Sequence, residues 1–530
     1  MGMVPQESGG SLEELYDYLK RFRTSDSLVE LGRISFVLES DLFNLVPIAG
    51  IGGLGADGDR IRTLIGQRCR DEIAKKELLA NAARLARFLL LSPVNDYKSQ
   101  VLKLGVTQTA KALDLSWNVY DPDAEIMVKG KADFHRAHLR VGQWQFILQQ
   151  DPRDWFARAY LLFHEIPQTT SLDSLVNEAA RDAVGMLPLQ FIAAGYCVGL
   201  LSFGVLVPQL NVDGDLLTNE NLTQFASVSS LTQRGYCEEV RGKDEWRDSA
   251  PKQDAYLPDP LMRYPLIKPR SGLSVGGADM VVPVNQYVFF RATSGLLYAI
   301  SERQRETAQS PREARFRAAF GRIVQHYVRF QLAQCRETSG LFLDLDGILT
   351  DYGPTKPDFA LVKGETAVLF EVKLGLLTRG SKFLGDEKTL EADFLTHLEP
   401  AVDQLNGFAQ AIYEKRVPIN GLEDVKQVVK VVVTFDNSYL SNADTLPLAG
   451  EVLGKKRLAG VQLATLDDID FIGGLLAEGE DVVPPLAEKA DIGQFGGWII
   501  WMFLRDKVGQ PKSRSPYLEH GWQGFTSLLK

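Results

Sequence analysis

Cysteine is scarce in this chain, which has four cysteines among 530 residues and no pair separated by only two positions. Disulfide frameworks and cysteine-rich zinc sites need cysteines at short, regular spacing, so the sequence predicts neither. Isolated thiols are typical of a reducing compartment, and we therefore expect a cytoplasmic protein. The amino terminus also lacks a basic segment followed by an apolar one, which argues against a secretory signal.

Positive charge is also in deficit, because 58 Lys and Arg face 68 Asp and Glu, for a formal net charge of −10. A negative overall field excludes a protein that coats nucleic acid nonspecifically, but it leaves room for a local basic surface. Residues 301–330 contain three glutamates against seven arginines, which are Arg303, Arg305, Arg312, Arg315, Arg317, Arg322 and Arg329. Two interpretations of this segment stay open, a surface for phosphate groups and an ordinary solvated helix face.

No charged residue occurs in residues 183–212, and this stretch is long enough for a membrane span. Pro188 and four glycines interrupt it, and no cluster of Lys or Arg flanks it to set an orientation. The pattern therefore favours a buried core segment, with a helix over residues 189–201 and a strand over residues 202–208. We expect no membrane partner.

Two short apolar segments with an alternating pattern, residues 357–362 and 367–374, predict a β-hairpin. A turn at Gly364 joins them, because glycine can adopt the positive φ that a tight hairpin turn requires. Side chains two positions apart on a strand share one face, so Glu371 and Lys373 are expected to project together.

Asp358 stands at the start of the first of these strands, so the pairing brings its carboxylate close to Glu371 and Lys373. Two carboxylates and an ammonium on one surface suit metal-dependent cleavage of phosphodiester bonds. Mg²⁺ prefers oxygen ligands, which Asp358 and Glu371 provide, and it can acidify a bound water. Lys373 can position that water or neutralise developing negative charge. These residues predict a phosphodiester hydrolase with Mg²⁺ as its cofactor.

Pro357-Asp358 and Glu371-Val372-Lys373, with twelve residues between the two acids, resemble the PD-(D/E)xK nuclease superfamily. The resemblance covers residues 305–475 and implies an α/β fold with a restriction-endonuclease-like αβββαβ core. It implies a magnesium-dependent endonuclease, with Mn²⁺ as a substitute, for which DNA is favoured over RNA. Residue patterns predict elements in that order. They are a helix over residues 311–334, a strand or loop within residues 340–351, the hairpin, a helix over 392–415, and strands over 425–435 and 461–465.

Two glutamines complete the candidate site that this resemblance implies. Many members carry a glutamate on the first core helix that completes the metal site, and Gln325 occupies that position here. Asp344, Asp346 and Asp351 are alternatives for this role. Gln404 lies on the second helix, where some members use a glutamine at the site. The missing glutamate leaves open a nucleic-acid-binding protein with a catalytically weak nuclease fold.

Residues 341–351, which read LFLDLDGILTD, resemble the first motif of haloacid-dehalogenase-like phosphatases, an apolar strand ending in DxDGTLxD. This second resemblance implies Asp344 as the nucleophile toward phosphate and Asp346 as the acid or base. Two features differ from that family. Ile348 stands in place of the usual threonine, and the hairpin follows the strand directly. A phosphatase is therefore the alternative enzyme hypothesis.

The nuclease resemblance leaves the first 300 residues unassigned. We expect residues 1–300 to form a larger mixed α/β module for recognition or regulation, with strands near residues 34–38 and within 281–300. Residues 476–530 are expected to form a helical tail. A large module fused to such a nuclease resembles prokaryotic anti-phage and restriction systems. The expected partners are therefore nucleic acid, a second copy of the chain, or a protein trigger.

Overall fold

A computed structural model of the chain describes residues 12–43, 55–92, 100–102, 107–118, 135, 148, 150–206, 214, 216–241, 259–269, 280–306, 310–349, 356–377, 381, 387–435, 441–491 and 496–529. Within these residues the protein is mixed α/β and mostly helical, with two small sheets. The α/β class expected from the sequence is confirmed at this level.

The amino-terminal part is built mainly from helices. These are α1 (Leu12–Leu19), α2 (Thr24–Phe43), α3 (Gly55–Arg68), α4 (Glu72–Leu91), α5 (Thr107–Asn118), α6 (Pro152–Tyr160), α7 (Ile166–Thr169), α8 (Asp173–Val184), α9 (Pro188–Leu201), α10 (Asn219–Val228), α11 (Gln233–Arg241), α12 (Asn285–Ala292) and α13 (Ser294–Glu306). Four short strands form a sheet in the order β1-β4-β3-β2. They are β1 (Val205–Leu206), β2 (Ser230–Thr232), β3 (Leu266–Lys268) and β4 (Met280–Val281).

Two segments that were expected to be strands are helical, so these predictions are wrong. Residues 34–38 lie inside α2, and residues 281–300 contribute only Val281 to β4 before α12 and α13 begin. Both segments are rich in β-branched or aromatic residues, which fit strands locally. Burial on all sides overrides this preference, since every residue of α12 is buried. Asn285 anchors α12, because its Nδ2 donates to the carbonyl oxygen of Gly199 at 2.6 Å.

The uncharged stretch forms the core helix α9, as expected, followed by the short strand β1. Gly199 of α9 lies so close to α12 that an added Cβ would stand 2.1 Å from the ring of Phe289. Residues 207–213, the end of the expected strand, lie outside the described residues. No single helix in the described ranges has the length and hydropathy of a membrane span, although α8 and α9, bent by 51°, reach them as a pair.

The carboxyl-terminal part contains a five-stranded sheet and its covering helices. The strands are β5 (Leu341–Asp344), β6 (Phe359–Lys363), β7 (Thr366–Lys373), β8 (Gln427–Thr434) and β9 (Val461–Thr465). The helices are α14 (Ser310–Leu332), α15 (Leu345–Ile348), α16 (Glu387–Asp393), α17 (Glu399–Tyr413), α18 (Leu446–Leu453), α19 (Leu466–Glu478), α20 (Val483–Asp491), α21 (Ile500–Lys507) and α22 (Pro516–Ser527). Each helix and strand predicted for residues 311–465 is present.

The sheet has the order β5-β6-β7-β8-β9, which places β7 at its centre. β5, β6 and β7 pair antiparallel, and β8 and β9 continue parallel to β7. Gly364 has a φ of +56° in the turn between β6 and β7, so the predicted hairpin turn is confirmed. The register sets Phe359 opposite Phe370 and Glu371 opposite Val432.

Helices cover both faces of this sheet. Phe370 and its neighbours on one face pack into the core that includes α14, α19 and α20. Leu369 and its neighbours on the other face pack against α17 and α18. Glu371 was expected on a surface, but it is only 3 % exposed because these helices cover the end of β7 where it lies.

A buried polar network joins the amino-terminal helix α6 to the sheet domain. Arg158 Nη2 is 2.6 Å from Asp467 Oδ1, and Arg158 Nε donates to Asp470 Oδ2 at 3.2 Å. Asp470 also accepts hydrogen bonds from Tyr327 and Gln331 of α14. The expected tail is helical and continues this contact, since α22 packs on α6.

One buried core runs from the first helices to α22. Helix α13 spans residue 300, where the sequence analysis placed the end of the amino-terminal module. The division into three domains, residues 1–300, 305–475 and 476–530, therefore stays a prediction.

Candidate active site

The backbone of Asp358 is fixed between two segments at the start of β6. Its N–H donates to the carbonyl oxygen of Phe370 on β7 at 3.0 Å. Its own carbonyl oxygen accepts from the N–H groups of Leu345 and Asp346, at 3.0 and 3.3 Å. The pairing register thus holds the aspartate beside the end of β7, as the hairpin predicted.

The carboxylate of Asp358 is tied to two neighbouring elements. Oδ2 accepts from the backbone N–H of Val372 on β7 at 2.7 Å, and Oδ1 accepts from Gln325 Nε2 on α14 at 2.6 Å. Gln325 therefore reaches the position that the resemblance assigned to it. It acts there as a hydrogen-bond donor to the carboxylate, which a glutamate would repel.

Glu371 lies at the end of the central strand, between Lys373 and a helix on the other side. Lys373 Nζ is 2.6 Å from Glu371 Oε1, and Gln404 Nε2 of α17 donates to Glu371 Oε2 at 2.8 Å. Gln404 also donates to the carbonyl oxygen of Lys356. The structure thus gathers all five candidate residues into one cluster that draws on α14, the hairpin and α17.

The electrostatics of the cluster are those of a buried acidic pair. Burial raises the pKa of Asp358 to about 6, although the Val372 N–H and the charge of Lys373 oppose the shift. Burial, together with repulsion from Asp358, raises the pKa of Glu371 to about 8, again against Lys373. The charge of Asp358 therefore makes the ionisation of Glu371 harder, and a cation bound by both carboxylates would favour their ionised forms.

Two further residues lie at the cluster. The sequence did not single out Lys356, whereas it offered Asp346 as one alternative for the role of the helix glutamate. Lys356 Nζ lies 2.9 Å from Asp346 Oδ1 and donates to the carbonyl oxygen of Leu349 at 2.8 Å. The charge of Asp346 raises the pKa of both Asp358 and Glu371. The sequence offered one signal for Lys356, its position two residues before Asp358.

Asp344, the nucleophile of the phosphatase hypothesis, has both carboxylate oxygens engaged within the fold. Asp344 Oδ2 is 2.8 Å from Arg329 Nε, and its Oδ1 caps α15 by accepting from the N–H of Gly347 at 3.1 Å. A nucleophilic carboxylate needs an oxygen directed at its substrate, whereas this one is engaged within the fold. Asp351 lies outside the described residues. The arrangement gives the phosphatase hypothesis no support.

The donor set of the cluster fits a hard divalent cation. Asp358 and Glu371 offer carboxylate oxygens, and the adjacent Lys356 carbonyl offers another oxygen. When both acids are ionised, they carry one more negative charge than Lys373 offsets, and a cation would balance it. Within the ranges the structure describes, no group of three His, Cys, Asp or Glu side chains is arranged to hold a metal. A cation here would therefore be held by two carboxylates, with its remaining ligands from the Lys356 carbonyl oxygen, water or substrate.

Neither a protein-family model, nor a curated protein, nor a solved structure was found to match this chain. Function is therefore inferred from the residues of the cluster and their geometry.

Proposed function

We propose that this chain is a metal-dependent nuclease of the PD-(D/E)xK type that hydrolyses phosphodiester bonds, with DNA as its substrate. One observation carries the proposal, the convergence of Asp358, Glu371 and Lys373 with two amide side chains from flanking helices. These five residues come from positions 325 to 404, on two helices and a hairpin. An ordinary ion pair on the surface of a hairpin would not bring side chains from both helices to the same place. We place this activity in restriction or anti-phage defence in the cytoplasm.

The arrangement of elements supports the same proposal. Helix α14, strands β5 to β7, helix α17 and strand β8 follow one another in the order αβββαβ. The candidate residues lie where the central strand β7 ends, beside the parallel strands β8 and β9. In open α/β sheets, ligands bind at the carboxyl ends of the parallel strands, which is the edge that Glu371 and Lys373 occupy.

Each residue has a distinct role in this proposal. Asp358 and Glu371 would hold Mg²⁺, which when bound supplies Lewis acidity toward the phosphate and an acidified water. Lys373, at 2.6 Å from Glu371, carries the charge that positions a nucleophilic water or offsets negative charge on the phosphate. Gln404 orients Glu371, and Gln325 orients Asp358. The two amides thus hold the carboxylates without adding charge.

A second candidate function is nucleic-acid binding with little or no cleavage. The observation in its favour is that α14 supplies the neutral Gln325 rather than a third carboxylate. The additional acid near the pair, Asp346, is held by Lys356 at 2.9 Å. Fewer acidic ligands lower the affinity of a magnesium site, so a weak enzyme is the form this candidate would take.

The substrate class and the reaction can be tested together. Purified full-length protein is incubated with supercoiled plasmid, linear duplex DNA and total RNA, each with Mg²⁺, Mn²⁺ or EDTA. We expect cleavage of DNA that requires the metal and is lost in Asp358→Ala. Cleavage of RNA alone would replace the substrate in this proposal. Binding of DNA without cleavage under any metal would favour the second candidate.

Phosphatase activity is measured on the same samples with a chromogenic phosphate ester. We expect none that depends on Asp344. Hydrolysis that is lost in Asp344→Asn and kept in Asp358→Ala would instead establish the phosphatase hypothesis.

A further inference from the structure

Helix α14 has two chemically different sides. Its inner side is apolar, with Phe316, Phe320 and Ile323 fully buried against the core. Arg315, Arg322 and Arg329 are exposed on its outer side. We call these three residues the arginine stripe. Their spacing of seven residues brings them to nearly the same angle around the helix, about 10.5 Å apart along its axis.

The arginine stripe leads to the candidate active site. Gln325, which donates to Asp358, lies between Arg322 and Arg329 in the sequence of this helix. Its side chain leaves the helix next to the line of the three arginines, because residues three or four apart are neighbours on a helix surface. The other positions between the arginines on this side are Ala318 and the half-buried His326, so no acidic side chain of α14 interrupts the stripe. From Arg315 to Arg329 the stripe measures roughly 21 Å.

The charge of the stripe is largely uncompensated. Arg315 and Arg322 form no ion pair with any residue in the described part of the chain, whereas Arg329 pairs with Asp344 at 2.8 Å. The pKa of His326 is lowered by burial and then by the charges of Arg329 and Arg322, against Asp344. A protein with a net charge of −10 therefore presents a positive surface at this place.

The partner that fits this surface is a nucleic-acid backbone. Arginine guanidinium groups bind phosphate oxygens through paired hydrogen bonds, and contacts of this kind fix the register of a strand without reading its sequence. The two carboxylates of the proposed metal site would by themselves repel the negative charge of a phosphodiester. A row of arginines beside them attracts that charge. The stripe offsets this repulsion along the path to the site.

We infer that Arg315, Arg322 and Arg329 form the track along which the phosphate backbone of the nucleic acid is held, so that one phosphodiester reaches Asp358 and Glu371. The inference rests on the proposed nuclease function and adds to it the surface that binds the substrate. Arg315 contacts the backbone away from the scissile bond. Arg322 and Arg329, which flank Gln325 on the helix, contact it next to the site.

The test is the salt dependence of binding to a fluorescent duplex DNA and to a fluorescent single-stranded RNA. Full-length protein is titrated in EDTA, which prevents cleavage, over a series of salt concentrations. We compare Arg315→Gln/Arg322→Gln with Arg181→Gln/Arg317→Gln. The control pair also removes two arginines without ion pairs among the described residues, one of them on another side of α14. A third variant, Arg315→Lys/Arg322→Lys, keeps the charge.

For duplex DNA, the slope of log K against log salt is expected to fall by about 1.8 in the stripe variant, since each lost phosphate contact accounts for about 0.9. The corresponding change for single-stranded RNA is about 1.4. We expect the control pair and the lysine variant to keep the wild-type slope. An unchanged slope in the stripe variant, or an equal change in the control pair, would overturn the inference, as would wild-type protein that binds neither probe.

Cleavage in Mg²⁺ by the same preparations separates this inference from the proposed function. If the wild type cuts DNA and the stripe variant binds and cuts equally well at every salt concentration, the nuclease stands and the track is wrong. If the slope changes as expected but no preparation cuts, the track stands and the nuclease is wrong. A stripe variant that changes only the oligomeric state of the chain would identify the stripe as a protein interface and overturn the inference.

Discussion

The raised pKa of Glu371 predicts that the metal-free protein loses stability as the pH rises. The carboxyl has an ordinary pKa of 4.5 and a pKa of about 8 in the folded protein. Below pH 4.5 it is protonated in both states, and the full stability is present. Between these values the unfolded chain ionises the group and the folded protein does not, so stability falls until the pH passes 8.

The size of the effect follows from the shift. Each unit of pKa difference corresponds to about 1.4 kcal/mol, so the loss between pH 5 and pH 9 is about 4 kcal/mol. Glu371→Gln removes this titration. The substitution also removes the hydrogen bond that the Lys373 ammonium donates to the Glu371 carboxyl group. We expect this loss to lower the free energy of unfolding by about 1.5–3 kcal/mol at every pH. The variant is therefore expected to be less stable than the wild type at pH 5 and more stable at pH 9.

The assay is chemical denaturation of both proteins in EDTA at several pH values. We expect the difference in free energy of unfolding, variant minus wild type, to rise by about 4 kcal/mol from pH 5 to pH 9. Mg²⁺ should restore the wild type at pH 9 and leave the variant unchanged, because the bound cation favours the ionised carboxylate. A difference that stays constant with pH would refute the claim that Glu371 is a buried, proton-binding acid of this site.

Two further predictions concern the scaffold that holds the site. Arg158→Met leaves Asp470 buried without its cation, so we expect denaturation experiments to show a loss of about 3–5 kcal/mol, and a loss below about 1 kcal/mol would contradict the buried network. Gly199→Ala places a Cβ 2.1 Å from Phe289 and should lower stability by about 1–3 kcal/mol. Its control, Gly407→Ala on the exposed side of α17, has no atom within 4 Å of the new Cβ and should raise stability by roughly 0.5–1 kcal/mol. Equal effects of the two alanines would show that the contact between α9 and α12 is not tight.

The helices and strands that were predicted correctly are those whose hydrophobic periodicity matches the side that is buried in the fold. The hairpin around Gly364 alternates with period two, and its strands were predicted to within two residues of their observed bounds. The apolar side of α17 has helical spacing, so this helix was predicted, although it begins at Glu399 and not at residue 392. Residues 34–38 and 281–300 failed for the same physical reason. Their apolar, β-branched or aromatic side chains are compatible with a strand or a buried helix, and only contacts with distant residues decide between the two.

The candidate site divides in a similar way. Asp358, Glu371 and Lys373 could be placed together because one hairpin carries all three and fixes their register. The contribution of Lys356 could not be predicted, and Asp346 was only one of three aspartates considered, since neither residue belongs to the hairpin that fixes the register. The burial of Glu371 was also missed, because the helices that cover both faces of the sheet are remote in sequence.

The most direct test of the central claim is the rate of Mg²⁺-dependent plasmid cleavage by Lys373→Ala beside Lys426→Ala. Lys426 is an exposed lysine that pairs with Glu365 at the opposite end of β7, so its loss removes the same charge away from the site. We expect the wild type and Lys426→Ala to cut DNA alike and the rate for Lys373→Ala to fall about 100-fold or more. Cleavage by Lys373→Ala at the wild-type rate would show that Lys373 takes no part in the reaction and that the proposed active site is wrong.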